Sequence, residues 1–310
     1  MHSPSSSPPV RHSNEPIVVF ASPRKLPRAG SLSGRVVVVD IAFAAESMGK
    51  GFAHTTGKLI DQLGARLARW VDHHDHPLHE RFRRDPRFVL ATKAEHGACP
   101  EMITPELVRD SGPIDTIVAH FDLDGVYAAA KWILDGVEPY PGADDDARAI
   151  DTRVGHASNE ATRIDMALRA HWQDEVLRQR ILGYLIRGLR PGIERDSIER
   201  AARDFADKAE RSRALGRSYR VEHGIAVLNI PANTAAFDKT ELLLIGQTLA
   251  EVAVVVDAGN VSIAAPFESG LDFVHLLELG GGMPTRVSIP AKRLSEALER
   301  IRQALELRSR

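Results

Sequence analysis

Residues 35–43 read RVVVVDIAF, a run of four valines that ends in an aspartate. A continuous β-branched run of this length is typical of a strand buried on both faces of a parallel sheet. The pattern returns at residues 115–125, DTIVAHFDLDG, and amphipathic helical stretches lie between and after the two runs. Strands that alternate with helices predict an α/β fold with a parallel sheet, in which ligands bind at the carboxyl ends of the strands.

The composition indicates a globular protein with balanced charge. The chain has 310 residues, 43% of them hydrophobic, which is enough material for two cores. Forty Lys plus Arg against 42 Asp plus Glu leave a net charge of −2, so we expect no broad attraction to nucleic acid or to an anionic membrane. The single cysteine, Cys99, excludes an intrachain disulfide, and no apolar run approaches the about 20 residues of a membrane helix.

Four segments are predicted along the chain. Residues 1–33 are rich in Ser, Pro and basic residues and predict a disordered tail without a secretory signal, so we expect a cytoplasmic protein. Residues 34–190 would form the parallel-sheet domain, and the charged stretch 191–215 a helical linker. Residues 216–310 predict a smaller α/β domain, in which VAVVVDAGNVSIAA, residues 252–265, is typical of a hairpin.

Three groups of potential metal ligands stand at the predicted carboxyl ends of strands. They are Asp40; the run Asp72, His73 and His74; and the alternating set His120, Asp122 and Asp124. Residues i, i+2 and i+4 of an extended segment share one side, so the alternating set can converge on one point. A mixed shell of carboxylates and imidazoles suits Mn²⁺, with Mg²⁺ as the alternative, and the number of carboxylates suggests two ions.

Each group taken alone has an ordinary structural explanation. Short charged clusters at corners between helices and strands are often solvated, and an aspartate that ends a buried strand is often a helix cap. The pattern His-x-Asp-x-Asp-Gly also occurs in aspartate-rich turns. The coincidence of three groups at three predicted strand ends favours a metal site.

The same residues resemble the motifs of the DHH phosphoesterase superfamily, which includes nano-RNases, single-strand exonucleases, cyclic-dinucleotide phosphodiesterases and manganese pyrophosphatases. AHFDLDGVYAAA, VVVVDIAF and WVDHHDH are similar to its first, second and third motifs, and RAIDTRVG is the best match to a fourth. The metal ligands that this resemblance implies are Asp40, Asp72, His73, His120, Asp122, Asp124 and Asp151. It also implies that Asp40 bridges two ions and that His74 lies closer to the phosphate. In this chain the His-x-Asp-x-Asp motif follows the DHH run, whereas in the family it usually comes first.

The segment LELGGGMPTRVSI, residues 277–289, resembles the glycine-rich signature of the DHH-associated substrate-binding domain. Met283 stands where family members usually carry a histidine, and Arg286 would supply the missing charge. The substrate contacts that the resemblance implies are Gly280, Gly281, Gly282 and Arg286. A glycine-rich turn that ends a helix is the alternative explanation.

These features predict a metal-dependent phosphoesterase that hydrolyses phosphodiester bonds of short oligonucleotides or cyclic dinucleotides through a water activated by two metal ions. The residues expected to act in catalysis are His74, Asp72 and Asp122. His74 would stabilise developing charge or protonate the leaving oxygen. Two alternatives stay open: a pyrophosphatase or polyphosphatase, and a non-catalytic nucleotide-binding regulator on the same fold. We expect no membrane and no long duplex DNA as partners, and a homodimer is compatible with the sequence.

Overall fold

Strand β2 (Val36–Val39), which contains the four valines, lies at the centre of a five-stranded parallel sheet. The computed structural model describes residues 15–45, 51–279 and 283–308. The other strands of this first sheet are β1 (Ile17–Ala21), β3 (Leu67–Asp72), β4 (Phe88–Leu90) and β5 (Thr116–His120). Every pairing is parallel, in the order β1-β5-β2-β3-β4, and the predicted α/β fold with a parallel sheet is confirmed.

Helices cover both faces of the first sheet. Successive side chains of a strand point to opposite sides, so the four valines of β2 present apolar side chains to both faces. Val37 and Val39 pack into one core cluster, and Val36 and Val38 into another. The helices of this unit are α1 (Gly51–His54), α2 (Thr56–Leu63), α3 (His79–Phe82), α4 (Pro105–Ser111), α5 (Leu123–Ile133), α6 (Ala143–Thr152), α7 (Asn159–Ala170) and α8 (Glu175–Ile186). Helices α5 and α8 contribute to the first cluster, and α2 contributes to the second.

The amino-terminal segment corrects the prediction of a disordered tail over residues 1–33. Residues Ile17–Ala21, an apolar run, form β1. This strand pairs in parallel with β5 and covers the free edge of β5. Val18 is buried, and further along the chain Ala29 and Leu32 pack into the core on the second face of the sheet. The Ser-, Pro- and Arg-rich composition on both sides of this run is typical of disorder, although the run itself forms a strand. Residues 1–14 lie outside the described part of the chain.

Strand β5 enters the sheet last along the chain, yet it lies between β1 and β2. Its register places Ala119 beside Val39 of β2, and His120 beside Ala21 of β1. The unusual order of the motifs along the sequence therefore does not separate them in space. The three strands that precede the predicted ligands, β5, β2 and β3, are direct neighbours in the sheet.

A second five-stranded sheet follows, in the order β10-β9-β8-β7-β6. Its elements are β6 (Arg220–Glu222), β7 (Ile225–Asn229), α10 (Lys239–Leu249), β8 (Val252–Asp257), β9 (Asn260–Ala264), α11 (Phe273–Leu276), β10 (Arg286–Pro290) and α12 (Leu294–Arg308). Strands β7 and β8 are parallel, and the other neighbouring strands are antiparallel. The predicted hairpin is present as β8 and β9, joined at Ala258 and Gly259, which both have positive φ.

Helix α9 (Ile193–Gly216) lies between the two sheets in sequence, where a helical linker over residues 191–215 is predicted. Its apolar side is packed, with Ile198 and Phe205 buried. The units are also joined by an ion pair from Arg169 of α7 to Asp238, the capping residue of α10, with 2.7 Å between Nη2 and Oδ1. Although α9 has 24 residues it is rich in charge, and within the described ranges no helix is both long and apolar enough to cross a bilayer.

The packing of β1 can be tested with two substitutions on the same strand. Val18→Ala removes two buried methyl groups and should lower the free energy of unfolding by about 2 kcal/mol. Ile17→Ala, at a side chain that is 38% exposed, should stay within about 0.5 kcal/mol of the wild type. Urea denaturation measures both values, and equal small losses would show that this segment does not pack against the sheet.

Candidate metal centre

The carboxyl ends of β2, β3 and β5 meet at one edge of the first sheet, and each end carries predicted ligands. Asp40 follows β2 directly, Asp72 ends β3, and His120 ends β5. Asp40 has a φ of 56°, in the left-handed region that aspartate tolerates better than most residues. Its N–H donates to the carbonyl oxygen of Val71 at 2.9 Å. The chain therefore turns sharply as it leaves the sheet at the position of this carboxylate.

The turn after β5 is tight and depends on Gly125. Asp122 caps α5, and its Oδ1 accepts a hydrogen bond from the Gly125 N–H at 3.2 Å. A Cβ at position 125 would lie 2.4 Å from the carbonyl oxygen of His120, closer than a real side chain can come. The glycine of His-x-Asp-x-Asp-Gly thus lets α5 begin directly after the strand, which keeps Asp122 and Asp124 at the sheet edge.

Three groups of side chains within the described ranges bring their ligand atoms to within 4.8 Å of one another. The groups are Asp40, His73 and His74; Asp40, His120 and Asp122; and His73, Asp124 and Asp151. Asp40 belongs to two groups, and so does His73. Residues as far apart in the sequence as Asp40 and Asp122 therefore meet around one buried carboxylate.

Asp40 has the environment of a ligand that requires a cation. Its side chain is 1% exposed, and neither carboxylate oxygen accepts a hydrogen bond from a described residue. Burial and the charges of Asp124 and Asp122 raise the pKa of Asp40 well above its usual range. A buried carboxylate among like charges is unfavourable unless a cation compensates it, and Asp40, Asp122 and His120 are the donor types that hold Mn²⁺ or Mg²⁺. The residues present therefore fit a divalent ion.

His73 is oriented from behind by the backbone. Its Nδ1 lies 2.8 Å from the carbonyl oxygen of His96, which leaves Nε2 facing the carboxylates. Nε2 lies 3.1 Å from Asp124 Oδ2 and 3.3 Å from Asp40 Oδ1. Burial lowers the pKa of His73, but these two carboxylates outweigh burial and raise it to about 11. This backbone contact is the usual support of a metal-ligating histidine, and a metal ion would have to displace the proton on Nε2.

The group around Asp151 also contains a cation, Lys93, which is not a metal-ligand type of residue. Asp151, near the end of α6, lies 3.7 Å from His73 Nε2 and forms an ion pair with the buried Lys93. Burial lowers the pKa of Lys93, but the charges of Asp151 and Asp124 outweigh burial and raise the pKa above its usual value. The ammonium group therefore stays charged. Asp124 also accepts hydrogen bonds from the N–H of Cys99, at 3.1 and 3.2 Å. The only sequence signal for Lys93 is its position just after β4, at the same sheet edge.

Asp72, predicted as a metal ligand, has a histidine as its direct neighbour in the structure. Its side chain is fully buried and belongs to none of the three groups that the described residues form. Its Oδ1 lies 2.8 Å from Nδ1 of His74. Burial would raise the pKa of Asp72, but the charge and the hydrogen bond of His74 lower it. Asp72 therefore holds the imidazole of His74, whose Nδ1 lies 3.9 Å from Asp40 Oδ1.

A cleft of about 540 Å³ opens from the sheet edge towards the second sheet. The first unit lines it with His74, His120, Asp122, Asp151 and Arg153, and the second unit with Thr240, Met283 and Arg286. Nη2 of Arg286 donates to the hydroxyl of Thr240 at 2.9 Å, so the predicted substrate residue Arg286 faces the cluster across the cleft. The predicted contacts Gly280, Gly281 and Gly282 lie outside the described residues.

Comparisons with known proteins give structural neighbours only. No family model matches the chain, and no curated protein matches it. Among solved structures, the chain is similar to the pGpG-specific phosphodiesterase PggH from Vibrio cholerae, with a TM-score of 0.42, 10% identity, and coverage of 89% of this chain and 99% of that chain. It is also similar to the exonuclease RecJ bound to manganese, with a TM-score of 0.45, 13% identity, and coverage of 88% and 75%.

The role of Asp40 predicts opposite effects with and without metal. In EDTA, Asp40→Asn should be more stable than the wild type, because it removes a buried charge that Asp122 and Asp124 repel. Mn²⁺ at 100 times its Kd should stabilise the wild type by about 2.7 kcal/mol and Asp40→Asn far less. Thermal unfolding with and without Mn²⁺ measures both effects. Asp61→Asn, an exposed control on α2, should behave like the wild type, and equal Mn²⁺ stabilisation of all three proteins would contradict the assignment.

Proposed function

We propose that this chain is a metal-dependent phosphoesterase of the DHH type that hydrolyses phosphodiester bonds of short oligonucleotides or cyclic dinucleotides. One observation carries the proposal: the buried Asp40 carboxylate is shared by two ligand groups at a sheet edge that opens into a cleft. A shared carboxylate between two sets of donors is the arrangement that two-metal phosphoesterases require.

Asp40 lies between two sets of donors, because it belongs to the first set and also forms a group with His74 and with His73 of the second set. The first set is Asp40, His120 and Asp122, and the second is His73, Asp124 and Asp151. Bound divalent ions, Mn²⁺ or Mg²⁺, would supply positive charge at the phosphorus centre and acidify a water molecule. Lys93 adds a fixed positive charge to the second set through Asp151. Asp122 would bind metal in the first set, and it also caps α5. The cap fixes the position of this carboxylate at the start of the helix.

His74 is the residue best placed to handle a proton. It lines the cleft and is partly exposed, and Asp72 holds its Nδ1 at 2.8 Å. An imidazole held at Nδ1 by a buried carboxylate has a set orientation, and its free Nε2 can donate a proton to a leaving oxygen. We therefore propose that Asp72 acts through His74 as a positioning residue and that His74 is the general acid.

The cleft favours a short substrate with more than one phosphate or base. Arg286 and Arg153 line it beyond the ligand sets and would hold the part of the substrate that does not react. The net charge of −2 provides no extended basic track of the kind that long duplex DNA requires. Short oligonucleotides and cyclic dinucleotides satisfy both conditions.

The first functional test combines a substrate screen with Asp122→Asn. Purified protein with Mn²⁺ or Mg²⁺ should hydrolyse di- to pentanucleotides or cyclic dinucleotides faster than pyrophosphate. Asp122→Asn keeps the shape of the side chain but removes a charge needed for metal, so kcat should fall by about two orders of magnitude or more. Asp110→Asn, at an exposed aspartate of α4, should keep the wild-type rate. An unchanged rate in Asp122→Asn would place the chemistry elsewhere, and faster hydrolysis of pyrophosphate would reassign the substrate.

The role of Arg286 can be separated from that of the metal centre. Arg286→Ala should weaken binding of a trinucleotide by about 1.5–3 kcal/mol, the range for a hydrogen bond to a charged group, and raise KM accordingly. The effect on kcat should be small, because Arg286 does not belong to a ligand set. Steady-state kinetics measure this, with Arg302→Ala on α12, which does not line the cleft, as the control. Equal losses for pyrophosphate and the trinucleotide would contradict a contact with the distal part of the substrate.

A further inference from the structure

A second cavity, of about 410 Å³, lies at the same edge of the first sheet as the metal centre. Its walls come from the segment after β1, residues 23–28, from Ala44 and Ala45 after Asp40, and from α1 and α2. Four basic side chains, together with His54, line it. They are Arg24, Lys25, Arg28 and Lys58.

The charge in this cavity is uncompensated within the described part of the chain. No acidic residue is among those that line the cavity. None of the four Arg and Lys side chains forms a hydrogen bond or an ion pair with a described residue, and all four are exposed. Many other basic side chains of this protein pair with a carboxylate, as Arg87 does with Asp85 and Arg302 with Glu299. Four unpaired cations around one concave surface repel each other and favour a bound anion.

The cavity and the substrate cleft flank the metal centre from opposite faces of the sheet. The cavity is lined by Leu26 and Leu59, which belong to the core on the Val36 and Val38 face. The cleft is lined by Leu123 and Ile150, which belong to the core on the opposite face. The register of β1 brings the start of the basic segment close to the cluster, because Ala21 is the direct neighbour of His120.

We propose that this basic cavity is a second phosphate-binding site, which holds a backbone or terminal phosphate of an oligonucleotide whose scissile bond lies at the metal centre. The proposal rests on the proposed function and extends it by assigning a preference for substrates longer than a dinucleotide. A dinucleotide without a terminal phosphate has a single phosphodiester and cannot occupy both positions. A pentanucleotide that crosses the sheet edge can place one phosphate in the cavity and another among the metal ligands.

The test measures binding without catalysis. Fluorescence anisotropy with a labelled, 5′-phosphorylated pentanucleotide is recorded in EDTA, for the wild type and for Arg24→Ala/Lys58→Ala. Both substituted side chains are exposed, so the variant should fold, and the thermal unfolding of the variant checks this. We expect its Kd for the pentanucleotide to rise at least tenfold and the slope of log K against log salt to fall by about 0.7, the value for one lost phosphate contact. Binding of a labelled dinucleotide without a terminal phosphate should not change.

The control variant is Arg200→Ala/Arg203→Ala, which removes the same charge from two exposed, unpaired arginines of α9 and should bind like the wild type. Three results would overturn the proposal: an unchanged Kd in the cavity variant, an equal loss in the control variant, or no binding of the pentanucleotide by the wild type at low salt. Failure of the proposed function is a separate result, since it would appear as no hydrolysis with Mn²⁺ while the anisotropy difference persists.

Discussion

The site depends on one constraint: Asp40 is buried, and no described residue donates a hydrogen bond to its carboxylate. A carboxylate in this position is a cost to the folded protein in the absence of a cation, and its neighbours Asp122 and Asp124 increase that cost. His73 and Lys93 offset part of it, since both remain positively charged beside the carboxylates. The positive charges of His73 and Lys93 thus partly balance the buried carboxylates. The remaining negative charge suits the centre to a divalent cation.

The order of the strands explains how the centre forms from distant parts of the sequence. Asp40 and His73 follow the neighbouring strands β2 and β3, which come early in the chain. His120 ends β5, which comes later in the chain but lies between β1 and β2 in the sheet. The carboxyl ends of parallel strands face one edge whatever their order along the chain. For this reason the late position of the His-x-Asp-x-Asp motif does not disturb the geometry. It does make the centre depend on β5, because both ligand sets require residues that follow that strand.

Much of the centre could be predicted from local patterns. One pattern is a buried run that ends in an aspartate, and the other is a histidine and two aspartates at alternate positions. Each pattern predicts candidate ligands at the end of a strand from the geometry of that strand alone. Lys93, the contact between Asp72 and His74, and strand β1 could not be predicted in this way. Lys93 is held by Asp151, 58 residues away, and β1 forms only because β5 offers an edge to an apolar run inside a polar segment. Each of these depends on a contact between distant residues, which composition and periodicity do not contain.

The ion pair between Arg169 and Asp238 has a consequence for how the two units act together. Arg169 also pairs with Asp165 on its own helix and packs over the ring of Phe205, so the guanidinium is held from three sides. Asp238 is equally constrained, because it caps α10, and that helix lines the cleft with Leu243 and Leu244. Separation of the units would break a half-buried ion pair and a helix cap at once. We therefore expect the two sides of the cleft to keep a fixed separation, so that a substrate of the proposed function would be selected by its fit to the width of the cleft.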